Sequence, residues 1–201
     1  LPSFAISLPA QSNAALAEEM VIVVNRNDPD SLSIGQHYAR QRGIPESRIV
    51  HLSAPIKETI SIAEYVNTVA NPLLNALLEN EWVTGVKSGS KDVYGRERLS
   101  VSIHSIPFVV LIKGVPLRIT HDPLLIEESS ANLPMQFRVN NGSVDGEIAL
   151  LLAPPRTSMT ALVPNPYFEK SSISSTDANR LLRVTRLDGP TKANVMNLID
   201  R

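Results

Sequence analysis

Cysteine is absent from all 201 residues. Disulfides, thiolate zinc sites and cysteine nucleophiles are therefore excluded for this chain. Only four histidines occur, at positions 37, 51, 104 and 121, and none stands at a metal-binding spacing from another. Neither a metal nor a cofactor is expected. Aromatic residues make up 4% of the chain, too few for a run of stacking platforms. Basic runs are also lacking and the net charge is -1, so a nucleic-acid surface is not expected. No apolar stretch approaches the length of about 20 residues needed to span a bilayer, so no membrane span is expected. The G-x-S-x-G, Walker and G-x-G-x-x-G patterns do not occur, so these hydrolase and nucleotide signatures give no support.

What is present is an ordinary globular composition, 43% hydrophobic and 19% charged. The length suits one well-filled domain. The first 18 residues are small and apolar until Glu18. They read as an N-terminal arm, or as the remnant of an export signal with Ala15-Leu16-Ala17 as an A-x-A-like site. Export to a periplasmic or extracellular compartment is the matching expectation. Residues 19–201 read as a single α/β domain. The last helix reaches Arg201 without a glycine cap or proline stop, which suggests the N-terminal part of a longer protein and contact with a further segment.

Hydrophobic patterning sets the element order. The run "MVIVVN" at 20–25 is apolar on both faces, as in a parallel strand covered from both sides. A helix is predicted from a Ser31 cap to Arg42, stopped by Gly43, with Ile34, Tyr38 and Gln41 on one face. Residues 48–53 form a second strand. "SIAE" at 61–64 is a capping box, opening an amphipathic helix that Pro72 should kink or restart. Residues 84–100 are polar and glycine-containing and read as an exposed, mobile excursion. A buried strand is predicted over 107–113, starting at Pro107. Loop with short helical pieces follows to Gly142, including a solvated Glu127-Glu128. A helix over 143–153 is capped by Ser143 or Asp145, and residues 165–180 read as loop. A strand over 181–189 precedes a last helix from near Thr191. This alternation predicts a mainly parallel sheet of four or five strands, flanked by helices on both faces.

In such a sheet, ligands bind beyond the carboxyl ends of the strands. Asn25, Lys113 and Arg186 lie at such ends, with Arg118 nearby and Asp145 opening a helix. Two readings of this cluster stand. In one it is a crevice for a peptide-like or anionic ligand. In the other, Lys113 pairs with Asp145 or Glu147 and pins the irregular loop to the sheet. A partly buried ammonium needs a partner in either case. Asp28 and Asp30 in "NDPDS" suit a turn and helix start better than a cation site. "HDP" at 121–123 and "NNGS" at 140–143 suit turns better than a general base or an anion nest.

The segments "VIVVNRNDPDSLSIGQHYARQRGIPESRIV", "KGVPLRI", "SVDGEIALL" and "RVTRLDGPT" resemble, in order and over most of residues 20–200, an uncharacterised family of exported bacterial proteins. That family has no assigned activity, and its members extend past the point where this chain stops. The chain is more distantly similar to the N-terminal part of gingipain-type cysteine peptidases of the caspase-like fold. The matching pieces are Phe108 to Gly114, Asp145 and Thr185-Arg186. The resemblance implies a Rossmann-like or caspase-like topology. It also implies that the catalytic His and Cys of such a peptidase would lie later than this chain, which has no Cys. A binding or scaffolding role is one expectation; the substrate side of a peptidase-like hydrolase is the other.

Overall fold

The computed structural model describes residues 13–106, 108–125, 138–153 and 180–201, with single residues at 134, 169 and 174. Pro107, Glu127-Glu128 and most of the loop expected at 165–180 lie outside the described residues.

Four parallel strands form the central sheet: β1 (Met20–Asn25), β2 (Ile49–Leu52), β6 (Phe108–Ile112) and β9 (Arg183–Leu187), in the order β2-β1-β6-β9. The two central strands consist almost wholly of Val, Ile and Leu, residues that suit a pleated, doubly covered surface. Their side chains alternate between two cores. Val21, Val23, Val109 and Leu111 face one; Ile22, Val24, Val110 and Ile112 face the other.

Helices cover both faces. The second core is closed by α2 (Pro29–Arg42) and α6 (Lys192–Ile199) through Ile34, Ala39, Val195 and Ile199. The first core is closed by α3 (Ile62–Tyr65), α4 (Asn71–Glu79) and α5 (Val144–Ala149) through Tyr65, Leu73, Leu77, Val144 and Ile148. The step from β1 to β2 and the opposite step from β2 across to β6 carry their helices on opposite faces, as connections of one hand require. A short helix, α1 (Asn13–Glu19), brings Ala17 into the second core.

Local signals behave as their chemistry dictates. Gly43, with φ 64°, stops α2 in a left-handed cap. Ser61 and Glu64 form both bonds of the capping box. Pro72 cannot donate an N–H, and the helix widens into a π turn over Val66–Ala70 before α4 resumes. Three expectations need correction. The cap of α2 is Asp28, whose side chain accepts the Asp30 N–H; Ser31 lies inside the helix, where it accepts the Asn25 N–H at 3.0 Å. Helix α5 is shorter than expected and capped by Ser143. The third concerns residues 84–100, which belong to an antiparallel hairpin of β4 (Val83–Lys91) and β5 (Glu97–His104).

The polar, glycine-containing β4 has the composition of a loop, and the hairpin is irregular. Leu99, Val101 and Ile103 alternate as one face of a strand, but the register slips at Ser102, between the Thr84–Ile103 and Gly85–Val101 pairs. A one-residue slip turns later side chains over. Leu99 is buried and Ile103 is exposed. The turn of the hairpin is anchored, not loose. Asn71 Nδ2 donates to the Gly95 carbonyl, Arg96 Nε to Asp92, and Arg96 Nη1 reaches Glu147 of α5 at 3.6 Å. A small second sheet joins β3 (Thr59–Ile60), β7 (Arg118–Ile119) and β8 (Gly142–Ser143) beside the carboxyl edge of the main sheet.

Candidate functional site

The chain leaves β1 toward β2 on one side and returns to β6 on the other. At such a switch point the loops after the two strands diverge and leave room for a ligand. A cavity of about 590 Å³ lies there. Its lining includes the charged Asp28, Lys57, Glu58, Lys113 and Asp188 and the apolar Ile56 and Leu117. Four segments converge on this edge: 25–31 follows β1, 113–119 follows β6, 143–147 opens α5 and 186–191 leads from β9 into α6.

Each expected site residue can now be located. Lys113 lines the cavity. Its ammonium donates to the Gly189 carbonyl at 2.8 Å and lies 3.5 Å from Asp188 Oδ1. It has the carboxylate partner that a half-buried cation requires, but that partner is Asp188, not Asp145 or Glu147. Asp145 instead takes Arg186. The guanidinium meets both carboxylate oxygens through Nε, at 3.1 and 3.0 Å, and also donates to the carbonyls of Val115 and Pro116 at 2.8 and 3.0 Å. All three guanidinium nitrogens are engaged. This fork ties the turn after β6 to the start of α5, so the pinning role expected of Lys113 belongs to Arg186.

Asn25 is fully buried. Its amide donates to the carbonyls of Ala54 and Gly114, and its oxygen accepts the N–H groups of Ala54 and Asn27. The side chain clips together the loops after β1, β2 and β6, and its hydrogen-bonding capacity is spent on that task. It is a positioning residue for the cavity and offers a ligand nothing. Arg118 stands exposed on the rim, paired with Glu58 at 2.6 Å.

Asp28, Glu58 and Asp188 are the acids of the crevice that sequence reasoning did not assign to it. The signal for Asp188 was available, since it follows β9 directly, as Lys113 follows β6. Asp28 is held by the geometry of Gly114. That glycine has φ 94°, and a Cβ on it would sit 2.3 Å from Asp28 Oδ2. Glycine is thus needed both for the left-handed turn and for the close approach of the carboxylate.

The other constellations are structural. Asp30 lies 3.7 Å from Lys192 of α6. His121 Nδ1 and Asn140 Oδ1 are 2.8 Å apart, and Asn140 also bonds the backbone of Asp122 on both sides. Among the described residues no group of three or more His, Asp or Glu side chains could hold a metal ion, and no helix is long and apolar enough to cross a membrane.

Comparisons with protein-family models, with curated proteins and with solved structures gave no match to this chain. Fold and site together define a mixed α/β protein with a parallel four-stranded sheet and a polar crevice at its carboxyl edge.

Proposed function

We propose that this chain is a ligand-binding α/β domain whose switch-point crevice takes a small, polar, peptide-like molecule. The observation that carries this reading is the cavity of about 590 Å³ at the ends of β1 and β6, large enough for a ligand of several non-hydrogen atoms. Its lining combines paired charges with the apolar side chains of Ile56 and Leu117, a mixture that suits a peptide-like molecule. The strand order, 2-1-3-4 when the four parallel strands are numbered as they occur, supports assigning the sheet to the Rossmann-like or caspase-like class. The collinear motifs support membership of the exported bacterial family, and with it a periplasmic or extracellular location. In this reading the charges at the sheet edge hold the crevice open and perform no covalent chemistry. A peptidase-like activity would need a nucleophile other than cysteine, or one supplied by another segment.

The test is a titration of the ¹⁵N-labelled protein with alanyl-leucine, followed by amide resonances. Saturable shifts centred on Gly114, Val115 and Gly189 are expected. Shifts spread over the surface, or none at these three amides up to the solubility of the peptide, would overturn the reading.

A further inference from the structure

Resting on that reading, we propose that Asp28 is the anchor for a primary ammonium group of the bound molecule, with the apolar stem next to it packed on Ile56 and Leu117.

Among the described residues, five charged side chains line the cavity: Asp28, Lys57, Glu58, Lys113 and Asp188. Four of them are already paired. Lys57 meets Glu64 at 2.8 Å, Glu58 meets Arg118 at 2.6 Å, and Lys113 meets Asp188 at 3.5 Å. Asp28 is left over. Its Oδ1 accepts one backbone N–H, from Asp30 at 2.9 Å. Its Oδ2 rests against Gly114 and has no hydrogen-bond or ion-pair partner among the described residues. The N-terminus of α2 offsets part of the negative charge, but it gives Oδ2 no donor. The free valence of the crevice is therefore an acceptor of negative charge, half-buried on the cavity wall. An anionic ligand would meet it unfavourably, and the two lysines that line the cavity, Lys57 and Lys113, already face Glu64 and Asp188. An ammonium group supplies the N–H donors and the positive charge that Oδ2 lacks.

Apolar Ile56 and Leu117 also line the cavity. Ile56 is 64% exposed, although it stands at the mouth of a cavity. A hydrated inorganic cation would leave this surface wet, whereas the methylenes beside an ammonium would cover it. The chemistry named is thus an ammonium on an aliphatic stem. It can come from a free alkylamine or from the amino end of a peptide.

Four probes, titrated into the ¹⁵N-labelled protein at one pH and ionic strength, separate these cases. They are n-butylamine, butyrate, leucinamide and N-acetyl-leucinamide. Expected are saturable shifts of Gly114 with butylamine and leucinamide, and at least about tenfold weaker binding of the two probes that lack the ammonium. A peptide amino end is the source if leucinamide binds more tightly than butylamine; a free amine is the source if the order is reversed. The variant Asp28→Asn keeps the helix cap, because Asn and Asp cap about equally well, but removes the charge. It should unfold as the parent does and lose at least about tenfold in affinity for butylamine. Equal binding of butylamine and butyrate, or unchanged butylamine affinity in Asp28→Asn, would overturn the ammonium site while leaving the crevice intact. If alanyl-leucine and all four probes fail to shift Gly114, Val115 and Gly189, the crevice reading falls with it.

Discussion

Replacing Asn25 by alanine tests whether the buried amide at the end of β1 belongs to the frame of the crevice or to its contents. The structure assigns it to the frame, and a magnitude follows. Four hydrogen bonds would be lost. Two of them serve the N–H and carbonyl of Ala54 in a buried setting, where each orphaned group costs about 1–3 kcal/mol. The other two serve Gly114 and Asn27 and are only part-buried, so water can replace the amide at about 0.5 kcal/mol each. The sum is about 5 kcal/mol at the midpoint of these ranges, and about 3 kcal/mol at the low end. With a urea m-value of about 2 kcal/mol/M, the midpoint of unfolding should fall by about 1.5–2.5 M with little change in slope. Equilibrium urea unfolding followed by far-UV circular dichroism reads this directly. A fall of less than about 0.5 M would refute the reasoning, because it would correspond to about 1 kcal/mol, no more than an exposed polar side chain contributes. An Asn25 that contacts ligand would give the reverse pattern, with stability kept and binding lost.

Two further perturbations probe the same edge and the cap of α3. Gly114→Ala forces a β-carbon into a left-handed turn at φ 94° and to 2.3 Å from Asp28 Oδ2, so the variant should lose about 2 kcal/mol and melt about 4–8 °C lower; an unchanged melting temperature by calorimetry would mean that the turn relaxes freely. The pKa of Glu64 is held below its ordinary value, first by its hydrogen bond to Lys57 and then by the Ser61 backbone N–H. A carboxylate with a lowered folded pKa adds stability that is full above the unfolded value of about 4.5 and is lost as pH falls through the folded value. Parent and Glu64→Gln should therefore differ most at neutral pH and converge in acid, and a difference independent of pH would contradict this.

Much of the frame was legible because it follows from short-range chemistry. The doubly apolar run at 20–25, the Gly43 stop, the Ser61 capping box and the Pro72 interruption each appear where their local chemistry requires. The β4–β5 hairpin was not legible because β4 is polar and glycine-containing, like a loop, even though Leu99, Val101 and Ile103 alternate as a strand should. Ser31 has the chemistry of a common cap, but it does not cap α2. Asp28 wins because Pro29 and Asp30 already suit the first helical turn, which frees Ser31 to bond the end of β1.

The partners of the charges were illegible for a different reason, since they depend on register. Lys113 and Arg186 both stand at the carboxyl edge, and sequence separation gives no ground for matching either to Asp145. The register between β6 and β9 does. Leu111 lies beside Arg186 and Ile112 beside Leu187, so one more step brings Lys113 beside Asp188. The Lys113 N–H to Leu187 carbonyl bond, at 2.8 Å, carries the ladder through that step. Arg186, beside Leu111, shares the face on which α5 packs, and its planar fork reaches the two oxygens of Asp145 and the carbonyls of 115 and 116 together. A lysine at position 186 could not make that set of bonds, because an ammonium has no such fork. With Lys113 beside Asp188 and Arg186 forked onto Asp145, as the register dictates, and with Lys57 and Glu58 paired to Glu64 and Arg118, Asp28 is left as the unpaired charge lining the cavity among the described residues.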